Sequence, residues 1–295
     1  MSDTTAGLRR KIGGAEQLQS VVRTMKSLAA SSIGQYEKSV HALDSYFHSV
    51  ELGLGVTLRH VKQSRQGVFH NSEALPKSFD VIVFGSDQGL VGSFNDVIAA
   101  HVRATLKPLA GPTVVWAVGE RVKASLISAG FTPKGSYAVP GSIQSIVPLI
   151  GQILLERESQ SQQADASGLY LIYNRPSGIA YHPFAQQLLP LDKSWLKRLE
   201  ELPWPNHILP EVLGNTTETL RVLIREYLFV SIFRACAESL ASENASRLAA
   251  MQRADKNISE LLDGLQGSFH RLRQSSIDEE LFDVVAGFEA IEKHV

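Results

Sequence analysis

"SENASRLAAMQRADKNISELLDGLQGSFHRLRQSSIDEELFDVVAGFEAI", Ser242–Ile291, runs for fifty residues without a proline and ends four residues before the last. Ile258, Leu261, Leu262, Leu265, Phe269 and Leu272 recur in it at mostly three- and four-residue steps, followed by Leu281, Val284, Val285, Phe288 and Ile291. That is the spacing of one apolar helix face. Upstream, Leu220, Leu223, Ile224, Leu228, Ile232, Ala235 and Leu240 extend the same helix back to about Thr217. Between the two stripes the face thins to Ala245, Leu248, Ala249 and Met251, a slender stretch suited to close packing. At ~1.5 Å per residue this helix would extend roughly 110 Å. An isolated helix of that length cannot bury its stripe, so it requires a partner.

The partner is at the other end of the chain. Leu8, Ile12, Ala15, Leu18, Val22, Met25, Leu28, Ala29, Tyr36, Val40, Leu43, Phe47, Val50 and Leu54 form a second helical stripe over about 6–60. Gly13 and Gly14 weaken it locally or mark its start. Eleven of the twelve prolines lie between 108 and 210 and the twelfth is Pro76. The two flanking segments therefore read as an antiparallel coiled coil brought together by a compact insertion.

The insertion has a different period. "FDVIVF" (79–84), "TVVWAV" (113–118) and "GLYLIYN" (168–174) read as strands, with "QQLLPL" (186–191) as an added edge strand. Helical patterns over 95–110, 119–130 and 142–159 alternate with them. The fold class expected is α/β: a long antiparallel coiled coil of N- and C-terminal helices with an inserted small Rossmann-like domain and a largely parallel sheet. The divisions expected are 1–65, 75–207 and 211–295, with Pro203, Pro205 and Pro210 in the second linker.

Composition narrows the function. The net charge of −1 argues against nucleic acid as the main partner. The ends are oppositely biased: seven Lys+Arg against five Asp+Glu over 1–60, and nine against fourteen over 211–295. Cys236 is the one cysteine and falls on the apolar side of the last helix, so it reads as core in a reducing compartment. The first residues lack the apolar run of a signal peptide, and no stretch approaches the ~20 apolar residues that span a bilayer. A cytoplasmic protein that meets a membrane only through partners is expected.

"VIVFGSDQGLVGSFN" (81–95) is the most enzyme-like stretch, a strand entering a glycine turn and then a helix. Its glycine spacing matches neither G-x-G-x-x-G nor a P-loop. The reading adopted is a plain strand-to-helix turn, with Ser93 or Asn95 capping the next helix. Ser86 and Asp87 have no histidine companion in sequence, and the nine histidines form no metal motif, so neither a metal nor a cofactor is expected. Arg247, Arg271, Arg273, Gln274, Asp278, Glu279 and Glu280 would ordinarily be a solvated helix face. Here they accompany Leu281, Phe282, Val284, Val285 and Phe288, a mixture that suits insertion into a protein cavity. Lys26 beside Met25 reads either as such a contact or as a lysine snorkelling along a coiled coil.

Three stretches carry a family resemblance. "VVRTMKSLAAS" (21–31) resembles the N-terminal helix signature of F-type ATP synthase gamma subunits. "SENASRLAAMQRADKNISELL" with "RQSSIDEELFDVVAGFEAI" resembles their C-terminal helix, and "SDQGLVGSFN" (86–95) their first turn. The resemblance implies a non-catalytic rotor shaft inside a ring of three alpha and three beta subunits, with the C-terminal end deepest. The α/β domain would stand at its foot, against an epsilon subunit and a membrane c-ring at the cytoplasmic face of the inner membrane. It further implies that Met25 and Lys26 face the beta-subunit lever region, and that Arg247, Gln274 and the position of Asp278 meet a beta-subunit loop.

The chain departs from the family pattern at 20–22 (SVV), at 31–33 (SSI), at Val91 for a cysteine and at Asp278 for a threonine. These differences suggest a divergent branch, such as an alternate ATPase. Two other classes stand beside the motor reading: a coiled-coil adaptor with an α/β binding module, and a small-molecule enzyme built on the 85–95 turn.

Overall fold

The computed structural model describes residues 4–63, 76, 78–109, 111–161, 168–178, 180–205, 208, 210–212 and 214–292. Its elements are α1 (Thr5–Gln63), β1 (Phe79–Phe84), α2 (Phe94–Leu106), β2 (Thr113–Val118), α3 (Glu120–Ser128), β3 (Gly135–Tyr137), α4 (Ile146–Ser161), β4 (Gly168–Ser177), β5 (Ala180–Leu189), α5 (Lys193–Glu201) and α6 (Thr216–Glu292). α1 and α6 are uninterrupted over 59 and 77 residues, so Gly13 and Gly14 lie inside a helix. Contacts divide the chain into two units, residues 30–247 and residues 1–29 with 248–295.

In the larger unit the strand order is β3-β2-β1-β4-β5, parallel throughout except for the antiparallel β4–β5 pair. Successive strand residues point to opposite faces. Val81 and Val83 therefore join Val115, Ala117 and Ile172 under α2 and α3. Ile82 and Phe84 join Leu169, Leu171 and Tyr173 under α4 and under the portions of α1 and α6 in this unit. A sheet covered on both faces explains why its strands read as continuous apolar runs. The sequence reading missed β3 and α5, and β5 begins six residues before the edge strand it expected.

Within this unit α1 and α6 run antiparallel. Arg234 pairs with Asp44, and the Tyr46 hydroxyl donates to Glu226 at 2.7 Å. Polar contacts fasten α6 to the sheet domain: Tyr173 Oη donates to Glu238 Oε2 at 3.1 Å, Arg175 Nε lies 3.3 Å from the same oxygen, and Ser246 Oγ donates to the Val91 carbonyl at 2.5 Å. Cys236 is buried at 1% exposure, and burial pushes its thiol well above the ordinary range. A chromogenic disulfide reagent should therefore leave the native chain unmodified and titrate one thiol in denaturant. Fast native labelling would show that this face of α6 opens.

The smaller unit is also an antiparallel helix pair. Gln19 Nε2 donates to Ser259 Oγ at 2.8 Å, and Lys26 Nζ meets Asp255 Oδ2 at 2.8 Å, so rising numbers on α1 meet falling numbers on α6. Leu8, Ala15, Val22 and Ala29 are buried at seven-residue steps, and Met251 and Ile258 are buried seven apart with Leu262 following. Heptad spacing with an apolar seam is knobs-into-holes packing. Several stripe positions differ from expectation: Leu18, Leu28, Leu261, Leu281, Val284 and Val285 are exposed, although they lie at helical spacing. Ala249 is exposed as well. The seam is narrower than the apolar face. The side chains of Phe288 and Ile291 lie outside the described residues.

Candidate coupling surface

The 85–95 turn sits at the C-terminal end of β1, where the sheet order reverses between β2 and β4. In open α/β sheets that crevice is the usual ligand site. Here the chain's own groups fill it. Asp87 Oδ1 accepts from Glu120 N at 2.9 Å and Oδ2 from Val139 N at 2.8 Å. Asn95 does not cap α2. Its Oδ1 accepts from Ser86 N at 3.0 Å, and its Nδ2 donates to Ser86 Oγ at 2.8 Å. Ser93 occupies the cap position without a side-chain bond to the helix. Three backbone donors around the turn, Ser86 N, Glu120 N and Val139 N, are held by the chain's own side chains, and the Ser246–Val91 bond seats α6 against the turn.

Beside that joint lies a polar cleft of about 220 Å³. It is walled by Tyr36 of α1, Asp87 and Gln88 of the turn, Pro140 and Gly141, and Glu243 and Arg247 of α6. Arg247 therefore stands at the α/β domain and not on a solvated helix face. Its Nη2 lies 2.5 Å from Glu243 Oε1, with side-chain exposures of 14% and 6%. Burial, the largest influence, pushes the Glu243 carboxyl up; Arg247 opposes the shift and Asp87 adds to it.

The other four expected site residues belong to the smaller unit. Met25 packs beside the seam of Ala15, Val22 and Met251. Lys26 reaches across to the opposite helix: its ammonium lies 2.8 Å from Asp255 Oδ2, and Arg23 Nε lies 3.3 Å from Asp255 Oδ1. The hydrogen bond from Lys26, with Arg23 assisting, keeps the Asp255 carboxyl below its ordinary value. Gln274 and Asp278 are exposed on α6. The structure thus brings Met25 and Lys26 together in one helix pair and leaves Gln274 and Asp278 on a surface. Asp255 and Glu243, which hold two of the expected cations, were missed. Glu243 was signalled by its four-residue spacing to Arg247; no sequence signal links Asp255 to a lysine 229 positions away.

Around Gln274 and Asp278 the surface mixes exposed charges, Arg273, Glu279, Glu280 and Asp283, with exposed apolar side chains. Ile277, Leu281, Phe282, Val284 and Val285 are all exposed, Phe282 at 73%. Leu18, Val21 and Leu28 are exposed on α1 of the same unit. Contiguous apolar side chains on a helix surface mark a face made for another macromolecule. Among the described residues no group of three His, Cys, Asp or Glu side chains could hold a metal ion. Among the same residues, no helix is long and apolar enough to cross a membrane.

These features define a class: a helix-pair protein with an α/β insertion, whose strand-to-helix turn is tied by the chain's own side chains and whose helices expose apolar side chains. The sequence pattern of the family described as ATP synthase matches residues 4–291, and the chain belongs to that family. An ATP synthase gamma chain of Chloroflexus aurantiacus is 25% identical over 289 residues, covering 96% of this chain and 97% of the relative. The gamma chain of Moorella thermoacetica is 27% identical over 291 residues, with 96% and 98% covered. The same fold occurs in the central stalk and c-ring structure of the Tetrahymena thermophila mitochondrial ATP synthase. That chain has TM-score 0.57 and 24% identity, with 79% of this chain and 99% of that one covered. It occurs again in the Euglena gracilis mitochondrial ATP synthase rotor, at TM-score 0.59 and 16% identity, with 92% and 98% covered.

Proposed function

We propose that this chain is the non-catalytic central-stalk rotor subunit of an F-type ATP synthase. It would turn inside a ring of three alpha and three beta subunits and couple ion-driven rotation to ATP synthesis or hydrolysis at the beta sites. The α/β domain, residues 75–207, would form the foot against an epsilon subunit and the c-ring. The flanking segments 1–65 and 211–295 would form the shaft. The complex would hold the chain as a peripheral protein at the cytoplasmic face of the inner membrane. The departures from the family pattern at 20–22, 31–33, Val91 and Asp278 together favour a divergent branch, such as an alternate ATPase.

The observation that carries this reading is the helix pair of residues 5–29 and 248–292. It buries a narrow seam of its own yet exposes a larger set of apolar side chains, which a surrounding ring would cover. The mechanism needs no chemistry from this chain. An asymmetric surface touches three identical beta subunits differently, and a difference in contact free energy between their open and closed states biases each in turn. Met25, Lys26, Arg247, Gln274 and Asp278 are the coupling contacts proposed. Lys26 would act on the beta subunits while paired with Asp255.

Co-expression with alpha and beta subunits tests the proposal. One copy of the chain per three beta subunits, with ATP turnover dependent on its presence, is the expected result. Elution of the chain alone would move the coiled-coil adaptor reading to first place. In the assembled complex, Arg247→Ala or Gln274→Ala should lower turnover with assembly intact. Unchanged turnover in both would remove those two residues from the coupling surface.

A further inference from the structure

We infer that Glu243 is a positioning residue: it holds the Arg247 guanidinium in the one orientation from which this arginine engages a partner acceptor. The inference rests on the coupling role proposed above for Arg247. Residues 243 and 247 lie one helical turn apart, with the acid on the N-terminal side, the better orientation for such a pair. Most pairs of this spacing are exposed and contribute little. This one is walled in by Tyr36, Asp87 and Gln88, and both side chains are largely buried.

A buried carboxylate is costly and is a poor source of stability. Glu243 sits there despite the like charge of Asp87, which adds to the upward pressure on its own carboxyl. The counter-charge on it is Arg247, and the side-chain hydrogen bond of Arg247 among the described residues is the one to Glu243. That bond uses one nitrogen of a planar fork with five donors. The remaining donors belong to a guanidinium that lines an open, polar cleft. A fork fixed in advance binds a carboxylate or carbonyl without first losing rotamer freedom. Glu243 thus gives specificity of orientation at some expense of stability.

The test is a double-mutant cycle in the complex purified with alpha and beta subunits, reading ATP turnover and the melting temperature of each free chain. Arg247→Ala should lower turnover about tenfold, equivalent to ~1.4 kcal/mol. Glu243→Gln keeps the shape and an acceptor for Arg247 while removing the charge; it should lower turnover about threefold, with the free chain still melting as a folded protein. The pair together should be no slower than Arg247→Ala alone, because Glu243 acts through Arg247. Losses that multiply, wild-type turnover in Glu243→Gln, or failure of that variant to assemble would each overturn the inference. A silent Arg247→Ala would overturn it too, while chain-dependent turnover would keep the rotor reading. Loss of chain-dependence in the wild type would remove the rotor reading itself.

Discussion

Gly85→Ala is expected to destabilise the α/β domain by about 3 kcal/mol, at the upper end for overpacked sites. A Cβ at this position would lie 2.2 Å from Val122 Cβ, 2.7 Å from Val122 Cγ1 and 2.7 Å from Asn95 Oδ1. The first of these atoms is the root of a side chain on α3, so relief requires the helix to move, not a rotamer to change. Moving it would pull on the Asp87–Glu120 bond and on Gly119, whose φ is 121° and where an added Cβ would lie only 2.6 Å from the Ser86 carbonyl oxygen. For a unit of this size the melting temperature should fall by roughly 6–12 °C. Gly89, four residues on, is the control. A Cβ there would meet Arg121 Nη2 at 3.7 Å, an ordinary contact, and Gly89→Ala should stay within about 0.5 kcal/mol of wild type. The contrast discriminates between functions as well as measuring packing. A phosphate-cradling loop depends on every glycine that approaches the ligand, whereas a structural joint depends on the one under the helix. Loss of nucleotide affinity in Gly89→Ala with normal melting would revive the enzyme reading. Melting of Gly85→Ala within 2 °C of wild type would mean that α3 does not pack on β1 as described.

The helix pair was legible because heptads at Leu8, Ala15, Val22 and Ala29 leave a periodic trace. Its exact seam was not. Leu18 and Leu261 are as apolar as seam residues and stand at helical spacing, but they are exposed. A side chain awaiting an external partner looks in sequence like one already buried. Strands β1, β2 and β4 were legible because two-sided burial makes them β-branched runs. β3, with the sequence Gly-Ser-Tyr, has no such run and is a strand only because β2 offers it an open edge. α5 was lost among prolines, although Asp192 caps it through bonds from Ser194 N and Trp195 N. The coupling surface was least legible where it depends on chain folding. The spacing of Glu243 and Arg247 could be read, but their burial in a cleft comes from α1 and two loops distant in sequence. The Lys26–Asp255 pair exists only because the helices are antiparallel and in one register.

Met251→Asp should be the most damaging single change in the smaller unit. Met251 is 2% exposed and packs with Ala15, Val22, Ile258 and Leu262, the small buried cluster at the seam of the two helices. An aspartate there buries a carboxylate among apolar side chains, one turn before Asp255, a like charge at the unfavourable spacing. The expected cost is about 3–5 kcal/mol, the range for an uncompensated buried charge. Amide hydrogen exchange over 12–25 and 251–262 should accelerate by about 100-fold or more, since each 1.4 kcal/mol is tenfold. In the complex, turnover should fall at least about tenfold, because a shaft whose helices separate yields to torque where it must transmit it. Leu18→Asp provides the comparison. Leu18 is 55% exposed, so the free chain should melt and exchange as wild type does, and any fall in turnover must come from the ring. If Met251→Asp alone is damaging, rotor stiffness limits coupling. If Leu18→Asp is equally damaging with its fold untouched, the outward apolar contacts drive the beta sites as much as the shaft does. Full turnover with Met251→Asp would mean that torque passes without the helix pair intact, and the shaft role of this segment would fall.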